Sequence, residues 1–538
     1  MTPDAFFIGR GTPAAEITAA LAGSKAAELA GMAKLGLEVP PAFVLPTTLC
    51  AGVNAGDAQA LRAMQQGLAR GIAWLEERTG RRFGDSRAPL LVSVRSGAAV
   101  SMPGMLQTVL DIGLNERTVH GLVRLSGNPR LAFDSWRRLI QSHAEVVGGL
   151  AAARFDEALA VMVQAEQVES EAELDSEALE RLAAAYREVA RRLGHLVPDD
   201  PQRQLADAAR AVFQSWQSPR AVEYRRLNRL SDEGGTAVTV QAMVFGNSGP
   251  RSGAGVIFSR NPATGANEPY LDFLFDAQGE DVVSGRRTPI DAARLADRLP
   301  DVARALGDGV RLIEQARRDA QDVEFTVEDG RLYFLQTRSA KRTPLAALRM
   351  AVAMVREGLI DRQTALARLG TLDLAKLAVR RFAEPAKPAA QAISAAPGVA
   401  SGRIAFSSGR AQELGKTGAP VILVRPDTST EDVAGFAVAE GILTTTGGRT
   451  AHAAVVARQL GKVCLVGCGA LALDEAQGEA SLAGNRLREG DWLFLDGDTG
   501  SVGLGQRAIV SQPPPELAEV ARWRAAASGG LTAAPAGR

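Results

Sequence analysis

The stretch 380–402, RRFAEPAKPAAQAISAAPGVASG, constrains this chain most, because three prolines and a run of alanines with few large apolar side chains interrupt an otherwise globular pattern. Such a composition reads as a linker, so the residues before and after it are expected to fold separately. With 538 residues, at roughly 100–200 per domain, three or four domains are expected, and 46% hydrophobic with 23% charged residues excludes a disordered chain. The 61 basic and 61 acidic side chains cancel, which removes the positive footprint of a nucleic-acid binder. Cys50, Cys464 and Cys468 are too few for a disulfide framework and lack zinc-module spacing. The amino terminus has no leader pattern and no run of eighteen apolar residues occurs, so a cytoplasmic protein without membrane or nucleic-acid partners is expected.

Before the linker, strands are expected at 90–94, 237–244 and 255–258, and as a hairpin over 322–337, with 116–226 helical by its three- and four-residue apolar spacing. After it, PVILV, EGILTT, a Gly-Gly turn, the helix AHAAVVARQLG, KVCLVG and late strands in DWLFLDGDTGSVGLG read as an α/β unit, and 525–538 as a frayed tail. The fold class expected is therefore α/β and multidomain.

The sharpest chemical signal is Thr446-Gly447-Gly448-Arg449-Thr450-Ala451-His452. A strand ends, two glycines permit a tight excursion, and a helix starts at His452, where free N–H groups favour a negative charge on the imidazole. Arg449 adds a cation and Thr450 a hydroxyl for capping or for a phosphoryl oxygen. An ordinary turn before a surface histidine fits the local pattern as well.

In the hairpin QDVEFTVEDGRLYFLQTR, a three-residue loop Asp329-Gly330-Arg331 sets Asp322 opposite Arg338 and Glu324 opposite Gln336. Two carboxylates on one face beside an arginine suit a magnesium–phosphate site, or a salt-bridged surface. LLVSVRSGAAVSMPGM delivers Arg95 at a strand end, followed by a loop containing Ser101 and Gly104 that could close over a polyphosphate, and Lys25 precedes a helix. His120, His143 and His195 read as surface or partly buried structural residues, and Cys464 and Cys468 as core. GRAQELGKT is one residue too long for a P-loop, and no dinucleotide fingerprint occurs.

Ten blocks, in order, resemble the pyruvate, phosphate dikinase family: GSKAAELAGMAKLGLEVPPAFVL, LLVSVRSGAAVSMPGMLQTVLDIGLN, FDSWRRLIQ, VFQSWQSPRAVEYRRLN, TAVTVQAMVFGN, GAGVIFSRNPATG, FLFDAQGEDVVSGRRTP, DVEFTVEDGRLYFLQTRSAKRT, APGVASGRIAF and GGRTAHAAVVARQLGKVCLVGC. The resemblance implies an ATP-grasp-type nucleotide-binding domain over 1–343 with a helical insertion at about 116–226, a helical segment and linker over 344–390, a swivelling β/α phosphohistidine domain over 391–510 and a tail over 511–538. It implies magnesium-dependent phosphoryl transfer from ATP to His452, with inorganic phosphate as co-substrate. In this resemblance Lys25, Arg95 and Arg338 are phosphate contacts, and Asp322 and Glu324 metal-associated carboxylates. Ser101, Gly104, Asp272 and Gln336 belong to the nucleotide site, and Gln241, Met243 and Val244 lie along the adenine.

The sequence departs from the family at Leu271-Asp272, where Gly-Glu is usual, at Ala451, where a small hydroxyl residue is usual, and at Ser259, where threonine is frequent. The family's pyruvate/phosphoenolpyruvate barrel needs roughly 200 residues or more, which do not follow the phosphohistidine segment here. The expected acceptor site, for pyruvate, is therefore on a separate barrel-containing chain. A different small-molecule or protein acceptor, or a non-catalytic nucleotide-sensing role, are the alternatives.

Overall fold

Two compact units emerge from the computed structural model, one made of Met1–Ser252 with Val327–Thr337, the other of Gly253–Thr326 with Arg338–Arg538. The structure describes residues 4–12, 17–100, 102, 107–232, 234–283, 289–385, 387–428, 432–448, 452–474 and 478–529.

In the first unit, β-branched and aromatic runs pair into an antiparallel sheet ordered Phe6–Ile8, Ala42–Leu45, Thr236–Ala242, Val92–Ala98, Thr108–Ile112. Alternation along the strands puts Phe43, Leu45, Val92, Val94, Val238 and Val240 on one face, all buried in one core with Leu68, Ile72, Leu139 and Phe213 from the helices. The long helix Ala58–Thr79 starts at Asp57, whose side chain accepts from the Ala60 amide at 2.8 Å, and stops at Gly80 in the left-handed conformation. It lies close on the sheet because Gly71 leaves room for the Phe43 ring, which a Cβ would approach to 2.4 Å. Removing Phe43, fully buried, would cost about 3–5 kcal/mol. From Thr118 to Leu227 every element is helical.

A four-stranded sheet contains Gly253–Phe258, Tyr270–Phe275 and the hairpin strands Gln321–Glu328 and Arg331–Ser339, of which Val327–Thr337 counts with the first unit and the rest with the second. Strand bounds leave two residues, Asp329 and Gly330, as the hairpin link, both with positive φ (49° and 82°). The three-residue loop expected from the sequence is thereby corrected: Asp-Gly supports the tight turn whose twist matches the flanking strands. On one sheet face Phe273 stacks on Phe325, with centroids 5.8 Å apart, while Asp272, Asp322 and Glu324 alternate to the other.

Further along, an eight-stranded sheet runs Ala390–Gln391, Ser501–Leu504, Trp492–Asp496, Val399–Ala405, Val421–Arg425, Gly441–Thr444, Val463–Val466, Ile393–Ala396. The four strands from Val399–Ala405 to Val463–Val466 are parallel, joined by helices that include His452–Leu460. Much of the stretch expected to be linker is therefore sheet. Its alanines are the reason, since Ala395 and Ala396 are fully buried where larger side chains would not fit against Ala453 and Ala454. A three-stranded meander, Leu471–Asp474, Glu479–Leu482 and Asn485–Arg488, escaped the sequence reading because its strands are short and polar. The expected tail is helical in part, with a helix over Glu516–Gly529. Among the described residues no helix is long and apolar enough to cross a membrane.

Candidate active site

The sheet face of the first unit that does not meet the helical core carries Ser93, Arg95, Thr239 and Gln241 on two adjacent strands, with Arg95 directly opposite Thr239 and Ser93 opposite Gln241. Both Nε of Arg95 and Oγ1 of Thr239 are buried without a hydrogen-bond partner. A buried unsatisfied group costs about 1–3 kcal/mol, so two neighbouring ones on one face mark where a polar ligand would supply the missing bonds. Gln241 donates to the carbonyl of Pro40 at 3.3 Å.

Lys25 stands in the first turn of the helix Ser24–Lys34, which begins at Gly23 with φ of 80°. A Cβ at Gly23 would lie 2.3 Å from the Gly97 carbonyl oxygen, so only glycine lets this helix end approach the strand that bears Arg95. Ser24 adds a hydrogen bond to the Ala98 carbonyl. Met243 and Val244 line a cavity of about 460 Å³ together with Leu90, Arg81, Glu328 and Tyr333. Glu328 accepts from the Phe245 amide at 3.2 Å, and burial pushes its carboxyl above the usual range. Gln336 is buried. Ser101 and Gly104 lie outside the described residues.

The second unit holds the acidic cluster. Nε of Arg338 sits 2.7 Å from Oδ2 of Asp322, and its Nη2 is 3.8 Å from Glu324. Oδ1 of Asp322 is buried and has no hydrogen-bond partner. Burial raises the Asp322 pKa, opposed by the Arg338 guanidinium and reinforced by Glu324. A hard divalent cation bound through one or two carboxylates would relieve both the orphaned oxygen and the like-charge pair. No cluster of three or more metal-ligating side chains occurs among the described residues, so the donors here are these two carboxylates.

The glycine turn ends in the same unit. The parallel strand Gly441–Thr444 feeds it, and ligands of parallel sheets gather at such carboxyl ends. Thr446 donates to the Pro426 carbonyl at 2.9 Å and accepts from the Gly467 amide at 3.2 Å. Gly447 takes φ of 99°, whereas Gly448 is needed for space, because it abuts Pro289 and the carboxylate of Asp272. His452 is the first residue of the following helix; its side chain, together with Arg449 and Thr450, lies outside the described residues.

Arg458, later in that helix, is buried, donates to the Ala395 carbonyl at 3.0 Å and lies 5.7 Å from the Phe258 ring centroid. Burial lowers its pKa, while Tyr270, Cys464, Asp272 and Asp322 act in the opposite direction. Tyr270 in turn donates to the Ser394 carbonyl. The turn and helix that present His452 thus rest on the sheet face that carries Asp272 and Asp322. Sequence reasoning missed Thr239, Tyr270 and Arg458. For Thr239 the signal was available, since it lies two residues before Gln241 on a strand; Tyr270 and Arg458 offered none, because their roles depend on contacts far apart in the chain.

Comparison with known proteins adds two domain matches. Residues 57–305 match the model described as pyruvate phosphate dikinase, AMP/ATP-binding domain, and residues 417–500 the model of the PEP-utilising enzyme, mobile domain. The chain carries a pyruvate phosphate dikinase AMP/ATP-binding domain and a PEP-utilising enzyme mobile domain. It is 43% identical over 501 residues to pyruvate, phosphate dikinase of Clostridium symbiosum, covering 91% of this chain and 57% of that protein. It is 44% identical over 506 residues to pyruvate, phosphate dikinase 2 of Zea mays, covering 92% and 56% respectively. The chain therefore spans about half the length of the dikinases it matches. The model for the mobile domain includes the whole Gly-Gly turn and the helix from His452.

Proposed function

We propose that this chain is an ATP-dependent phosphotransferase of the dikinase type that phosphorylates its own His452, with inorganic phosphate as co-substrate. The observation that carries the reading is the seating of the turn before His452 against Asp272, on the same sheet face as the buried carboxylate of Asp322 with its unpartnered oxygen. In this reading 1–343 is an ATP-grasp-type nucleotide-binding domain, 344–390 a helical segment and connection, and 391–510 a swivelling phosphohistidine domain.

ATP would lie with its base along Gln241, Met243 and Val244. In the first unit its phosphates would meet Lys25 and Arg95, with Ser101, Gly104 and Gln336 as further nucleotide-site residues; in the second, Arg338 is the proposed phosphate contact. The buried carboxylate face fits Mg2+, which Asp322 and Glu324 would hold; when bound it would neutralise charge on the phosphates. A neutral imidazole is nucleophilic at neutral pH, which suits His452 to the attack. Its nitrogen forms the bond to the β-phosphorus of ATP as the bond from that phosphorus to the α,β-bridging oxygen breaks and AMP leaves; inorganic phosphate then takes the γ-phosphoryl group and departs as pyrophosphate, so the β-phosphoryl group stays on His452, where the helix amino terminus with Arg449 and Thr450 stabilises it. Positioning supplies most of the acceleration. The acceptor in this reading is pyruvate; the relatives' name, pyruvate, phosphate dikinase, supports pyruvate and phosphate as the substrates.

The test is to incubate the chain and its His452→Asn variant with γ- or β-labelled ATP, Mg2+ and phosphate. Acid-labile β-label on the wild type alone, dependent on phosphate, is expected; absence of label overturns the reading.

A further inference from the structure

A second cavity, of about 560 Å³, lies wholly within the second unit and shares no residue with the site described above. Three segments wall it: the start of the helix Pro344–Arg356, residues 376–380, and the edge of the eight-stranded domain at 397–399 and 460–463. Its apolar lining comes from Leu345, Leu377, Val379, Val399, Leu460 and Val463. Leu460 remains 44% exposed, unusual for a large aliphatic side chain at the end of an otherwise buried helix face.

The same walls carry four cations, Arg349, Lys376, Arg380 and Lys462, against two carboxylates, Glu440 and Asp498. Arg380 is paired with Glu440 at 2.8 Å and Lys376 with Asp373 at 2.9 Å, and Arg349 donates to the Thr264 carbonyl. Lys462 makes no side-chain ion pair or hydrogen bond among the described residues. A cavity of drug-like size with apolar walls and a few convergent charges is the usual form of a small-molecule site.

We propose that this cavity binds an amphipathic organic anion, its apolar body against Leu345, Val399 and Val463 and its acidic group on Lys462. The lining comes from both sides of the connection 383–389, so a molecule that fills it ties the helical segment to the eight-stranded domain. By mass action such a ligand favours the arrangement it fits. It is thus a brake on movement of the domain that carries His452, a consequence that rests on the swivelling reading above.

The probe is 8-anilinonaphthalene-1-sulfonate, an aromatic sulfonate that fluoresces when it leaves water, titrated into the full chain. Saturable one-to-one binding is expected, weakened roughly tenfold or more by Lys462→Glu, as loss of a charge-assisted contact predicts, and abolished by Leu345→Trp, which fills the cavity. Bound dye should slow amide hydrogen exchange over 383–389. Absence of saturable binding, or binding indifferent to both substitutions, overturns the site. Binding with unchanged exchange over 383–389 overturns the brake. The dye titration does not depend on phosphorylation, so a chain that binds dye at this cavity yet takes no label on His452 would refute the proposed function and leave the site standing.

Discussion

An ideal Cβ on Gly448 would stand 3.1 Å from Oδ2 of Asp272 and 2.3 Å from Cγ of Pro289, so the turn before His452 reaches the carboxylate face only because position 448 has no side chain. Gly448→Ala is expected to push the turn away by about the width of a methyl group. A displacement near 1 Å can cost roughly 10²-fold in rate, so labelling of His452 from ATP should fall by about that factor. ATP affinity, measured by equilibrium dialysis, should be unchanged, because the residues proposed for the base and phosphates are untouched. Equal loss of both would mean the glycine serves folding.

Asp322→Asn keeps the shape of the side chain and removes its charge. The labelling rate should drop roughly 10²-fold and the Mg2+ concentration for half-maximal labelling should rise. Thermal stability should hardly change, since Asp322 is buried, its pKa is raised chiefly by that burial, and one of its oxygens has no partner. An unaltered Mg2+ dependence would remove Asp322 from the metal site.

Within the helical block, Nδ1 of His143 lies 3.0 Å from Nε2 of His195, and His143 is fully buried. Burial first, and then His195, depresses the His143 pKa from 6.5 to about 4. The unfolded chain therefore takes up a proton between pH 6.5 and 4 that the folded one refuses. Stability should be full above pH 6.5 and fall by about 3 kcal/mol as pH drops toward 4. Denaturant midpoints between pH 7.5 and 4.5 will show this, and His143→Leu should flatten the slope.

All three cysteines are buried, and burial pushes the Cys464 thiol up to about 12. Reaction needs the thiolate, so the folded chain should leave Cys464 unlabelled by a disulfide reagent at pH 8 and titrate all three thiols only in denaturant. Rapid native labelling of Cys464 would show that the strand Val463–Val466 opens readily.

Taken alone, the sequence determined the local chemistry. Alternating valines announced strands at 90–94 and 237–244, although the first runs on past Arg95 to Ala98 in the structure; the spacing of apolar residues set the helices between Thr118 and Leu227, and Gly447-Gly448 announced the turn before His452. These are legible because periodicity, capping and backbone permissiveness act within a few residues. The hairpin turn and the linker were misread for a related reason. A one-residue change of loop length leaves the local pattern plausible, and alanine-rich segments look like linker until something packs on them. Only the tertiary structure decided that Ala395 and Ala396 are core, that Arg95 and Thr239 share unsatisfied atoms on one face, and that Arg458 lies buried beside Phe258 and Ala395. Each of those facts joins residues from tens to two hundred positions apart, and burial and charge at such distances are properties of the packed chain rather than of any segment in it.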